Sequence, residues 1–156
     1  MTQPIPEGCH ALTPHLVVQD PVAAIEFYKK AFGATEYCRL EMPGTGSIMH
    51  AQLQIGDSKL MLAGEFPQCP SKSPLSFGGS PVTIHFYVQN VDEVFQTALD
   101  AGAQEIMPVQ DMFWGDRYGK LKDPFGHEWS LATHVKDLTP EEIKKAAEEC
   151  FKQPVG

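Results

Sequence analysis

An octapeptide occurs twice in this chain: residues 13–20 read TPHLVVQD and residues 83–90 read TIHFYVQN, with Thr, His, Val and Gln coincident at a constant offset of 70. A repeat of this kind commits the chain to two like units before any other motif is weighed. Each copy runs on into a helix. Asp20 is placed to cap the first, with Pro21 at the first helical position, Ile25, Tyr28 and Phe32 at helical spacing, and Gly33 at the stop. Asn90 caps the second, where Val91, Val94, Phe95, Ala98 and Leu99 share one face and Gly102 provides a left-handed stop. Three β-type segments follow each helix, at 35–40, 48–55 and 59–63 in the first copy and 105–109, 118–122 and 128–133 in the second. Each half therefore reads strand, helix, strand, strand, strand, and the fold class is α+β.

The expected boundaries are an N-terminal extension (1–10), a first βαβββ module (11–66), a linker (67–80), a second module (81–134) and a C-terminal amphipathic helix (135–156). Pro67, Pro70, Pro74, Gly78 and Gly79 disfavour regular structure over most of the linker. In the tail, Thr139-Pro140-Glu141-Glu142 has the capping-box pattern, and Ile143, Ala146, Ala147, Cys150 and Phe151 form an apolar stripe that must dock on the body or on a second copy. Glu141 with Lys145 and Glu148 with Lys152 offer i,i+4 support.

Charge narrows the partners. Twelve Lys and Arg against twenty Asp and Glu leave −8, which repels phosphate backbones and anionic lipid, so neither nucleic acid nor a membrane is expected. There is no basic leader with an apolar run behind it, and the reading is cytoplasmic. Cys9, Cys38, Cys69 and Cys150 are widely spaced, which suits reduced thiols.

Four phrases carry a family likeness: the aromatic helix IEFYKKAFG (25–33), MHAQLQIGD (49–57), FWGDRYG (113–119) and DPFGH (123–127). Over about residues 11–134 the chain resembles the vicinal-oxygen-chelate superfamily, whose members include glyoxalase I, extradiol dioxygenases and bleomycin-resistance proteins, and within it the PhnB-like branch. The resemblance implies curved sheets around a cup, a homodimer, a small-molecule ligand, and a metal held from the first and last strands of each module. The matching positions here are Thr13, Met61, Thr83 and Ser130. Hydroxyls and a thioether are weak ligands for a divalent first-row metal beside His and Glu. No cofactor is expected, and a divalent metal only through a non-standard site in which His15 and His85 combine with His50 or Glu65.

Alternation puts His15 and His85 on the same strand face as Thr13 and Thr83, toward the cup, where they serve either as functional imidazoles or as hydrogen-bonded core residues. His127 in a turn and His134 at a strand end take solvated polar roles by default. Trp114, Asp116, Arg117 and Tyr118, flanked by Gly115 and Gly119, offer a cup an apolar wall and a directional charged contact; the alternative is an ion network with the rings packed as core. The expected function is glyoxalase-like binding of a small molecule. If chemistry follows, it is lyase or isomerase chemistry with His15, His85 or Asp116 moving a proton beside a carbonyl, and His50, Trp114, Arg117 and Tyr118 holding the substrate. The alternatives are a metalloenzyme with the displaced histidine site, or a non-catalytic protein that sequesters an aromatic or cationic compound as bleomycin-resistance proteins do. The second module's eight acids against three bases over residues 80–134 suit a cation.

Overall fold

The structure is a computed structural model that describes residues 2–152. Strand β1 (His15–Val18) leads into helix α1 (Pro21–Phe32) and then β2 (Thr35–Glu41), β3 (Ile48–Ile55) and β4 (Ser58–Gly64). A one-turn helix α2 (Pro74–Phe77) interrupts the connection to β5 (Thr83–Tyr87), α3 (Val91–Asp100), β6 (Gln104–Asp111), β7 (Asp116–Lys122) and β8 (Glu128–His134), and α4 (Pro140–Lys152) closes the chain. Two four-stranded sheets result, ordered β1-β4-β3-β2 and β5-β8-β7-β6. The first and last strand of each half pair in parallel and the rest pair antiparallel, so the second sheet repeats the plan of the first.

The helices begin where the local chemistry demands. The Asp20 carboxylate accepts from the Ala23 N–H at 3.1 Å, and Asn90 Oδ1 accepts from the Glu93 N–H at 3.2 Å. Gly33 ends α1 in the left-handed region, and Gly102, one residue beyond the α3 cap, also has positive φ. In the tail the Glu142 N–H donates to Thr139 Oγ1 while the Thr139 N–H donates to Glu142 Oε2, the reciprocal capping pair expected there. Ile143, Ala146 and Ala147 are half-buried, Phe151 meets Phe113 with ring centroids 6.2 Å apart, and residues 153–156 of the expected tail lie outside the described residues. Among the described residues, neither i,i+4 pair of α4 closes into an ion pair. Four free thiols agree with the cysteine spacing.

One core serves both halves. Alternate residues of each sheet, Leu53 and Leu62 in one and Leu121, Trp129 and Leu131 in the other, meet the inward faces of α1 and α3. Phe32 of α1 lies 4.7 Å from the Trp129 ring and 5.5 Å from Phe86, so the first module's helix is packed on the second module's strands. The polar tie across this boundary is buried: the Tyr28 hydroxyl donates to Asp123 Oδ2 at 2.5 Å, Trp129 Nε1–H donates to the same oxygen at 2.9 Å, and the Phe125 and His127 N–H groups donate to Oδ1. Burial and the adjacent Asp123 charge push the Tyr28 hydroxyl well above its ordinary value.

The linker is less irregular than its prolines imply, because Ser73 caps α2 from the Ser76 N–H, Pro74 takes the first helical position and Gly78 the left-handed end. His127 is not a solvated turn residue; its Nε2 lies 2.9 Å from the Val17 carbonyl oxygen and ties the turn after β7 to β1.

Candidate functional site

Because strand side chains alternate, each sheet has one face on the helices and one free of them. On β7, Leu121 is in the core and Gly119 lies under Phe95 of α3, which places Asp116, Tyr118 and Lys120 on the helix-free face. On β8, Trp129 and Leu131 go to the core and Ser130 and His134 to the free face; on β5, His85 and Tyr87 join them opposite Ile84 and Phe86. The result is a run of rings: Trp114 meets Tyr118 edge-on at 5.5 Å, Tyr118 stacks on His85 at 6.0 Å, and His85 meets Tyr87 edge-on at 4.5 Å. Where His85 and Tyr87 stand, the run borders a cavity of about 550 Å³ whose opposite wall includes Thr13, Pro14, Lys59 and Leu60 of the first module. That volume is in the range small-molecule sites occupy.

Asp116 holds one end of the run. Its carboxylate is buried and accepts from Trp114 Nε1–H at 3.1 Å and from the Tyr87 hydroxyl at 3.4 Å, while His134 Nδ1 lies 2.8 Å from its other oxygen. With its acceptor sites engaged in this way, Asp116 braces the aromatic wall rather than standing free as a base. His134 is the exposed strand end expected from its position, and it is also paired. Its Nε2 lies 2.7 Å from Asp137, and the two carboxylates raise its pKa above the ordinary 6.5. A raised imidazole pKa stabilises the fold below the unfolded value, and that contribution is lost as pH rises through the folded value. Titration of the His134 ring by NMR should give a midpoint above 6.5 that falls in Asp116→Asn; a midpoint unchanged by that substitution would refute the pairing.

Arg117 was expected beside these residues as the directional contact and is on the other side of the sheet. One residue out of phase with Asp116 and Tyr118, it turns to the helix face, where Nε and an Nη donate to the two Asp92 oxygens at 2.7 and 2.8 Å and the other Nη to Asp111 at 3.2 Å. This is the ion network of the alternative reading, with Asp92 and Asp111 in place of Asp116. Much of the acidic surplus is engaged away from the ring wall, which holds Asp116: Asp92 and Asp111 face Arg117, Asp123 is buried in its turn, and Glu128 pairs with Lys120 at 3.3 Å.

On the first sheet, His15, His50 and Met61 share the helix-free face, with His15 opposite Met61 in register. The His15 and His50 rings lie 5.9 Å apart and nearly parallel, and partial burial, with His50 adding to it, lowers the His15 pKa. His15 thus finds its ring contact in its own module, and so does His85, whose Nδ1 is 2.6 Å from the buried Ser130 hydroxyl. Glu65 turns to the linker, accepting from the Ser73 N–H and the Ser76 hydroxyl. The displaced site, which combined His15 and His85 with His50 or Glu65, is not assembled within one chain: His50 stands beside His15, while His85 and Glu65 are held by partners of their own. Nor do the residues fit the metal the resemblance implies: Thr13, Met61 and Thr83 offer no strong donor, Ser130 is bonded to His85, and among the described residues no three His, Cys, Asp or Glu side chains converge.

Tyr87, Ser130 and His134 are the site residues that sequence reasoning missed. The period of two from His85 would have found Tyr87, and the parallel pairing of the first and last strands would have set Ser130 opposite His85.

The family profile described as Glyoxalase/Bleomycin resistance protein/Dioxygenase superfamily matches residues 10–131. An uncharacterized protein of Mycobacterium tuberculosis is 50% identical over 139 residues, 87% of this chain and 81% of its own. Among solved structures, TioX from Micromonospora sp. ML1 superimposes with a TM-score of 0.63 at 29% identity, covering 81% of this chain and 99% of TioX. A PhnB protein from Bacillus cereus, also described as a putative 3-demethylubiquinone-9 3-methyltransferase, gives 0.63 at 17% identity over 80% of this chain and 99% of its own, a likeness of fold.

Proposed function

Since this chain belongs to the Glyoxalase/Bleomycin resistance protein/Dioxygenase superfamily, we propose that it binds a planar aromatic small molecule against the Trp114–Tyr118–His85–Tyr87 wall. The observation that carries this reading is the wall itself: rings within stacking distance of one another, two of them braced by a buried carboxylate, beside a cavity of ligand size. Fixed aromatic faces present large apolar area with little side-chain entropy left to lose on binding. Sequestration suits the site better than proton transfer, because Asp116 is engaged by three donors and the family's ligand positions hold weak donors.

The cup is completed by a second copy. Leu40 on the first sheet's free face is 57% exposed and Tyr87 on the second's is 61%, so each face has apolar surface still to bury. Light scattering on the purified chain should return twice its 17.2 kDa; a monomer at micromolar concentration would refute the dimer and leave the wall to be tested alone.

Trp114 is half-buried in the wall and Trp129 reaches the cavity from the core, so tryptophan emission reports on the site. Naphthalene-2-carboxylate should quench it saturably and be recovered unchanged, with affinity about tenfold weaker in Trp114→Ala, the equivalent of about 1.4 kcal/mol. Absence of saturable quenching would sink the aromatic reading. Turnover of the methylglyoxal–glutathione hemithioacetal on adding nickel or zinc would establish glyoxalase chemistry in its place.

A further inference from the structure

The pairing of His85 with Ser130 says more than that the ring is held. Ser130 is 3% exposed, and among the described residues its hydroxyl has a single hydrogen-bond partner, His85 Nδ1 at 2.6 Å. A hydroxyl carries one proton and must donate it somewhere; a buried donor left unpaired costs about 1–3 kcal/mol, whereas spare acceptor lone pairs are tolerated. Had Nδ1 kept the proton and donated it to Ser130, the serine proton would have no acceptor. The hydroxyl therefore donates to Nδ1, and the ring proton resides on Nε2.

From this geometry we infer that neutral His85 is a hydrogen-bond donor to the cup, not a base, and that the ligand is a planar aromatic carrying an acceptor oxygen, a carbonyl or a carboxylate. The inference rests on the aromatic-wall reading for its ring and on Ser130 for its oxygen. Tyr87 and Trp114 direct their own donors to Asp116, away from a ligand, and of the two remaining donors of the wall, the Tyr118 hydroxyl and the Nε2–H of His85, it is His85 that borders the cavity and is set to supply the polar contact that orients a flat molecule along the wall. Ser130 is a positioning residue in this scheme: it touches no ligand and acts through the tautomer of His85. It also replaces the base role that the sequence assigns to His85 with the polarisation of a carbonyl.

The tautomer is read directly on the full-length chain by long-range proton–nitrogen correlation of the histidine side chains at alkaline pH. The expected result is protonation at Nε2 for His85, retained in Ser130→Thr and lost to a mixture in Ser130→Ala. Protonation at Nδ1 in the native chain would overturn the inference. Three naphthalenes then test the ligand class by tryptophan quenching: the 2-carboxylate, the 2-acetyl and the 2-ethyl derivatives. The first two should bind about tenfold more tightly than the third, and Ser130→Ala should erase that margin without weakening the ethyl compound. Equal binding of all three overturns the acceptor-oxygen class while leaving the aromatic wall standing. Failure of all three, with the Nε2 tautomer observed, overturns the wall and the ligand class together.

Discussion

Asp123→Ala is expected to destabilise the protein by about 3–5 kcal/mol, seen as a shift of the urea midpoint at unchanged slope. The carboxylate is buried and receives four donors from two modules: Tyr28 and Trp129 side chains on one oxygen, the Phe125 and His127 N–H groups on the other. Removing it leaves those donors buried without an acceptor, and each unmet donor costs more than the hydrogen bond it made. In a chain of this length the loss corresponds to roughly 10 °C or more in melting temperature. Tyr28→Phe deletes one donor and keeps the ring that packs on Phe32, Phe125 and Trp129, so its cost should be about a third as large. An Asp123→Ala shift below about 1 kcal/mol would show that the turn, not the carboxylate, joins the modules.

Gly115→Ala should cost about 2–4 kcal/mol and disturb the aromatic wall at the same time. Gly115 has φ of +102°, which residues with a Cβ adopt only under strain, and an added Cβ would collide with the Lys136 carbonyl oxygen. The contact is close because the Val135 and Lys136 N–H groups both donate to the Gly115 carbonyl at 3.0 Å, drawing the segment after β8 across the turn. Any relief must move either that segment or the turn, and the turn carries Trp114 and Asp116 on either side. Near-ultraviolet circular dichroism should lose the Trp114 contribution while the far-ultraviolet spectrum is kept; an unaltered near-ultraviolet band would separate the glycine from the wall. Gly119 serves the other face, where an added Cβ would strike Phe95 and Val109. The two glycines of FWGDRYG are thus required by close approach, one to the tail and one to a helix.

The elements were legible because their signals are local. Caps at Asp20 and Asn90, stops at Gly33 and Gly102 and alternation in the strands were enough to place α1, α3 and the six strands that follow them within a residue or two. The face of Arg117 was legible too, since a strand through Asp116, Arg117 and Tyr118 must send the middle one away from its neighbours, and four clustered residues cannot all belong to one wall. What could not be read is contact over distance. Nothing in DPFGH says that its aspartate meets a tyrosine 95 residues earlier, or that its histidine reaches the Val17 carbonyl. The partners of His134, Asp116 and Asp137, were out of reach for the same reason, because they are set by the crossing of β7, β8 and the tail.

The offset of 70 sets Tyr28 opposite Ala98 in the second copy. The halves share a plan, yet the phenol belongs to one and its acceptor to the other. A chimera of two first halves would bring together two hydroxyls with nothing to receive them, and one of two second halves would bury two acids without a phenol. The two halves are thus complements, neither able to stand in for the other.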